Sequence, residues 1–256
     1  MSMYRSFLAV LFPLLVVIIA VTLALPEIGG KAKAHARAGD AQAQYELARM
    51  YFEGIEVEPD MDKAMFWLTK ASDQGEPQAQ FTLGLLTLRG QGVAQSDEKG
   101  LALVNEAAEK NLVNAQSFLA YIYGRGQGVE QDQEKFLHWV QLAAANGDPT
   151  SQFHVAILYL TGELLDKDPA QARSWLTKSA NQGNIEAQRT LAEVLMMGID
   201  SEPDLVGACQ WFAIAGTQGD ARSNYMLGQI TQNMTKDEME EAARRANQWL
   251  DARAIN

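Results

Sequence analysis

The chain has 256 residues, a single cysteine, three histidines and a formal net charge of −11. One cysteine excludes an intramolecular disulfide framework, and three scattered histidines are a poor basis for a zinc site, which wants three or four ligands. After Arg37 there are 17 Lys or Arg against 31 Asp or Glu, a net of −14, and such a field repels phosphate backbones and argues against nucleic-acid binding.

The first element in the chain is apolar. Phe7 to Leu25 are nineteen consecutive uncharged residues, which as a helix would reach about 28 Å, close to the hydrocarbon thickness of a bilayer. One N-terminal transmembrane helix is therefore predicted, residues 1–25 being a signal anchor or a signal peptide. The length favours an uncleaved anchor, because signal-peptide cores are usually shorter, while Ala-x-Ala sites at Ala32 to Ala34 and Ala34 to Ala36 keep cleavage open. Arg5 favours a cytoplasmic N-terminus, so the rest of a single-pass protein would be extracytoplasmic, although Lys31, Lys33 and Arg37 blur the charge asymmetry. Cleavage would instead leave a periplasmic or secreted product. Residues 26–36, with Gly29 and Gly30, read as a short tether.

From Arg37 onward one pattern recurs every 36 residues. Gly39 leads to Gly75, Asn111, Gly147, Gly183 and Gly219, and Gly54 leads to Gly90, Gly126, Gly162 and Gly198. Leu47 leads to Leu83, Leu119, Val155, Leu191 and Leu227, Ala48 to a small residue each time, and Trp67 to Leu103, Trp139, Trp175 and Trp211. Periods of 20 to 50 residues mark stacked arrays, so about six repeats are predicted over residues 37–256. Within the first, Ala43, Leu47, Met50 and Tyr51 have the spacing of one buried helix face, helix A. Gly54 closes that helix, Asp60 stands at an N-cap site, and helix B buries Ala64, Trp67, Leu68 and Ala71 before Gly75. So short a pair cannot bury its apolar faces alone, and neighbouring pairs must share one continuous core in a single elongated domain.

The third copy carries Ala115, Leu119, Ala120, Tyr123, Gly126, Gly128, Val129, Asp132, Trp139 and Ala143, and in this the chain resembles the Sel-one-like repeats, relatives of tetratricopeptide repeats. The resemblance implies an all-α fold, a right-handed α-solenoid of about six helix-pair repeats, and a role as adaptor or scaffold. Three departures stand out: Leu103 at the tryptophan site, Phe136 at a small-residue site of helix B, and Met234 at a glycine site. Thr235 and Glu238 have the spacing of a capping box and open a polar C-terminal capping helix.

The search for chemistry yields no catalytic, cofactor or metal residue. His35 falls in the tether, His138 on a helix B and His154 on a helix A, none at ligand spacing from another. Ser96 to Lys99 matches the Ser-x-x-Lys pattern of penicillin-recognising enzymes, and some cysteine-rich secreted relatives are linked to penicillin binding, so a penicillin-binding or hydrolase-like enzyme is the competing class. The register offers a different role, since Ser96 occupies the N-cap site held by Asp60, Asp132, Asp168 and Asp204. The Gly124, Gly126 and Gly128 loop lacks the lysine of a phosphate cradle, and Asp166 and Asp168 lack an EF-hand loop around them. Cys209 reads as a small buried hydrophobe.

What remains is a surface. On helix A, Tyr45, Arg49 and Phe52 point roughly 140° or more away from the buried set. The second copy places Phe81, Leu85 and Leu88 on that face, the third Tyr121, and the fourth Phe153, Ile157 and Leu160, with Gln42, Gln78, Arg89, Arg125 and Glu193 at its rim. The resemblance implies that this face lines a concave groove, and an aligned apolar strip suits a protein or peptide partner held by apolar anchors. Two alternatives stay open: the aromatics pack helix A against its neighbour, or a scaffold binds through its convex helix B face.

Overall fold

A computed structural model describes residues 30–199 and 201–254. The apolar run Phe7 to Leu25 lies outside the described residues, and among those described no helix is long and apolar enough to cross a membrane. The described residues are helical, with no strand. Residues 30–37 form α1, so the stretch expected as a tether is helical from Gly30 on. The reason is local: Ala36 is buried, and its carbonyl accepts from Gln44 Nε2 at 3.0 Å, which ties α1 to the first repeat as a half-pair.

Six helix pairs follow: α2 (Ala41–Glu53) with α3 (Met61–Asp73), α4 (Pro77–Arg89) with α5 (Asp97–Glu109), α6 (Val113–Arg125) with α7 (Gln133–Ala145), α8 (Pro149–Thr161) with α9 (Pro169–Asn181), α10 (Ile185–Met197) with α11 (Leu205–Thr217), and α12 (Ala221–Ile230) with α13 (Lys236–Ala254). The array divides into two compact units, one ending at Ala115 and one beginning at Gln116. In an array each repeat touches only its neighbours, so nothing obliges distant pairs to share one core.

The local chemistry repeats as faithfully as the sequence. Each helix A from α2 to α10 ends on a glycine in the left-handed region, for example Gly54 at φ 69°, whose amide donates to Met50 O. Each helix B from α3 to α11 starts on a side-chain cap: Asp60, Ser96, Asp132, Asp168 and Asp204 accept from the amides of Lys63, Lys99, Lys135, Gln171 and Gly207. Ser96 thus does what aspartate does in the other copies. Ser96→Asp is expected to leave helical content, melting temperature and biological activity unchanged, since the two residues cap about equally well; loss of activity with an intact circular dichroism spectrum would return Ser96 to the role of nucleophile.

The core is small-residue and leucine rich. In the first unit Ala48, Leu68, Ala71, Ala79 and Leu83 cluster. In the second, Leu176, Leu191, Phe212, Ile214 and Trp211 anchor a larger cluster that α13 closes with Ala242 and Ala246. Large and small residues interlock across each pair. A Cβ on Gly100 of α5 would stand 2.6 Å from Leu88 Cγ of α4, whereas in the next pair the sizes are exchanged and a Cβ on Gly124 of α6 would stand 2.9 Å from Phe136 Cδ2 of α7. Phe136, which broke the small-residue pattern, therefore occupies space that Gly124 vacates, as close packing requires.

A polar relay runs through this apolar interior. Gln44, Gln80, Gln116, Gln152 and Gln188 recur at the 36-residue period, and all five are buried. Gln152 and Gln188 donate to Ala144 O and Ala180 O, both at 3.2 Å, at the end of the preceding helix B. Their side-chain oxygens accept from Gln182 at 2.8 Å and Gln218 at 2.7 Å, at the end of the following helix B. Gln74 donates to Gln44 in the same way at 2.7 Å, and Lys110 donates to Gln80 at 3.0 Å. Gln152 and Gln188 thus each join consecutive helices B through the helix A between them, adding a second partner to carbonyls that also accept from the Gly147 and Gly183 amides, whereas Gln80 donates to the Glu106 carboxylate.

The sixth pair closes the stack differently. Met234 replaces a glycine after the 3-10 turn Thr231–Asn233. Thr235 N then donates to Glu238 Oε2 at 2.7 Å while Glu238 N donates to Thr235 Oγ1 at 3.3 Å, the reciprocal capping box. Helix α13 has 19 residues against 13 in the other helices B. Its added length lets Arg253 donate to the Asn181 and Gln182 carbonyls at the end of α9, and Trp249 meets Trp211 edge to face with ring centroids 6.0 Å apart.

Candidate protein-binding surface

The helix A face carries the side chains that the core leaves over, in each of the two units. In the first, Tyr45 is half-buried and packs on the core around Ala48 and Ala79. Arg49 is exposed and pairs with Glu53 at 3.4 Å. Phe81, Leu85 and Leu88 are half-buried, Leu88 over Gly100. In the second unit Phe153 and Leu160 are half-buried against the core cluster and Ile157 is half-buried, while Tyr121 is 49 % exposed. Residues at the flanks of this face are thus shared between surface and packing. At one register position the side chains are exposed or half-buried in both units, Arg49 and Leu85 in the first and Tyr121 and Ile157 in the second.

Tyr121 is the centre of the most built part of this face. The Arg125 guanidinium lies 5.3 Å over its ring, a cation–π contact that holds both side chains against the helix. Beside them is a cavity of about 370 Å³ between α6 and α8, with Phe136 and His154 in its walls. Desolvation lowers the His154 pKa below the usual imidazole value; Asp148 opposes this and Arg125 adds to it. Ser117 and Gly124 lie in the lining of the cavity, and in the 36-residue register both stand where other copies carry larger side chains.

On the opposite helices B the residue of note is Phe66 of α3, 52 % exposed, with Lys70 Nζ 4.7 Å over its ring and exposed Met61 on the same helix. His35 lies on α1, and His138 packs edge to face on Trp139 with ring centroids 4.7 Å apart. Cys209 is buried, and burial pushes its thiol pKa up. Among the described residues no group of three His, Cys, Asp or Glu is placed to hold a metal ion.

The fold defines the class, an all-helical repeat array. The Sel1 repeat family model matches residues 41–76, 77–112, 113–148, 149–184 and 185–220, the five complete pairs from α2 to α11, and the chain belongs to that family. A putative sel1-like repeat-containing protein, L18, of Acanthamoeba polyphaga mimivirus is 45 % identical over 42 residues, which is 16 % of this chain and 7 % of that protein. The chain thus spans only a small part of that relative's length. Among solved structures, the Sel1 repeat protein of Oxalobacter formigenes is 27 % identical with a TM-score of 0.65, the match covering 88 % of this chain and 99 % of that one. The c5321 protein, a protective antigen present in uropathogenic Escherichia coli strains, is 26 % identical with a TM-score of 0.59, covering 87 % of this chain and 56 % of that one. Proteins built from Sel1 repeats are generally protein–protein interaction scaffolds.

Proposed function

We propose that this protein is a non-catalytic scaffold that holds a protein or peptide along the helix A faces of its repeats, the surface expected to line a concave groove. The observation that carries the reading is Tyr121, a large aromatic side chain half out of the protein and braced by Arg125, on the same register line as Leu85 and Ile157. Aromatic and arginine side chains at the centre of a surface are the usual seat of binding energy. Phe7 to Leu25 supports membrane tethering with the repeats outside the cytoplasm, or export after cleavage. The N-cap role of Ser96 favours this reading over a penicillin-binding enzyme.

Leu85→Glu with Ile157→Glu is expected to abolish capture of the partner from the native membrane while helical content and melting temperature change little, because both side chains are half-buried rather than core. Lys70→Glu and Lys178→Glu, on exposed positions of helices B, should leave capture intact. A double variant that folds and still captures the partner places the binding surface elsewhere. The specific observation favouring a second reading, docking on a helix B face, is exposed Phe66 beside Met61.

A further inference from the structure

The 36-residue register places Tyr45, Phe81, Phe153, Arg189 and Tyr225 at one helix A position and Phe52, Leu88, Leu160, Met196 and Gln232 at another. In the third repeat the same two positions are Ser117 and Gly124. They lie two turns apart on one face of a helix, so α6 lacks two large side chains on the side where its sister helices carry them. Phe136 takes up part of that space, over Gly124. The rest is the cavity of about 370 Å³ walled by Tyr121, Arg125, Phe136, His154 and Leu158, within the size range of ligand pockets.

We propose that this cavity is an anchor pocket for one aromatic side chain carried on a basic segment of a partner protein. The proposal rests on the reading that the helix A faces bind protein, and it names what one pocket on them accepts. Shape sets the aromatic ring: the missing register residues are mostly aromatic or large aliphatic, and an incoming ring would meet Tyr121, Phe136 and His154 as face or edge partners with Leu158 and Ala120 beneath. Charge sets the flanks. Asp148 and Glu163 line the cavity against the single cation Arg125, and the chain after Arg37 carries 17 basic against 31 acidic residues, a field that draws a basic segment in and repels an acidic one. Arg125, stacked on Tyr121, braces the wall.

The test uses the full-length protein and three short peptides: acetyl-Lys-Trp-Lys-amide, acetyl-Lys-Ala-Lys-amide and acetyl-Glu-Trp-Glu-amide, titrated with backbone amide shifts as the readout. The first is expected to saturate with shifts centred on Tyr121, Gly124 and His154, and each of the others to bind about tenfold or more weakly. Ser117→Phe restores the sister-repeat residue and should weaken the first peptide by about tenfold with helical content unchanged. Tyr121→Ala, at an exposed site, should do the same and decides the matter if Ser117→Phe does not fold. Equal binding of the alanine or the glutamate peptide, shifts centred elsewhere, or undiminished binding by a folded variant would overturn the pocket. Loss of partner capture in Leu85→Glu with Ile157→Glu, but not in Ser117→Phe, would leave the docking surface standing and remove this pocket; capture retained by both would remove both.

Discussion

Trp139→Ala is expected to lower stability by about 3–5 kcal/mol, the range for truncating a large buried aromatic, because Trp139 is 7 % exposed on α7 and carries His138 against its ring. The loss should be local. In a repeat array stability is close to a sum of repeat and nearest-neighbour contributions, so hydrogen exchange should accelerate in α6 through α8 first and leave the cluster around Phe212 protected. A thermal midpoint equal to wild type, or uniform loss of protection along the chain, would contradict this.

Gln188→Leu is expected to cost about 1–3 kcal/mol, although it exchanges a polar for an apolar side chain of similar size in the interior. Gln188 is fully buried, and its amide satisfies Ala180 O at the end of α9 while its oxygen accepts from Gln218 at the end of α11. Leucine would remove both side-chain bonds, leaving the Ala180 carbonyl with the Gly183 amide at 2.9 Å, and each lost hydrogen bond is worth about 0.5–1.5 kcal/mol. Gln218→Leu should cost less, since Gln218 is exposed and solvent can replace it. Chemical denaturation of the two variants side by side checks the order; equal costs would mean that the relay is incidental to stability.

Much of this architecture was legible because the repeat is steric. Gly54 and its successors must adopt left-handed backbone, and Ala48 and its successors sit where two helices touch, so the chain spells out those positions without help from packing detail. The caps were legible for the same reason, since Asp60, Ser96 and Asp132 act on amides three residues away. The glutamine relay was written in the same register and was not read, because a glutamine on a helix looks like surface until the carbonyl of another helix is placed 3.2 Å from it. The depth of the A-helix face was also hidden. Phe153 and Leu160 share the apparent exposure of Tyr121 on a helical wheel, yet neighbouring helices half-cover them. Ser117 and Gly124 show the converse, since a cavity arises from what one repeat lacks relative to its sisters.

The central claim, that a partner docks on the helix A faces, is tested most directly by placing a photo-activated benzoylphenylalanine singly at Leu85, Tyr121, Phe66 and Lys178 and irradiating the protein in its native membrane. Positions 85 and 121 lie on the proposed face, and 66 and 178 are exposed on helices B. The account predicts a discrete cross-linked partner band from positions 85 and 121 and none from 66 and 178. The same band from position 66 or 178, with none from 85 and 121, would contradict it and place the docking surface on the helices B.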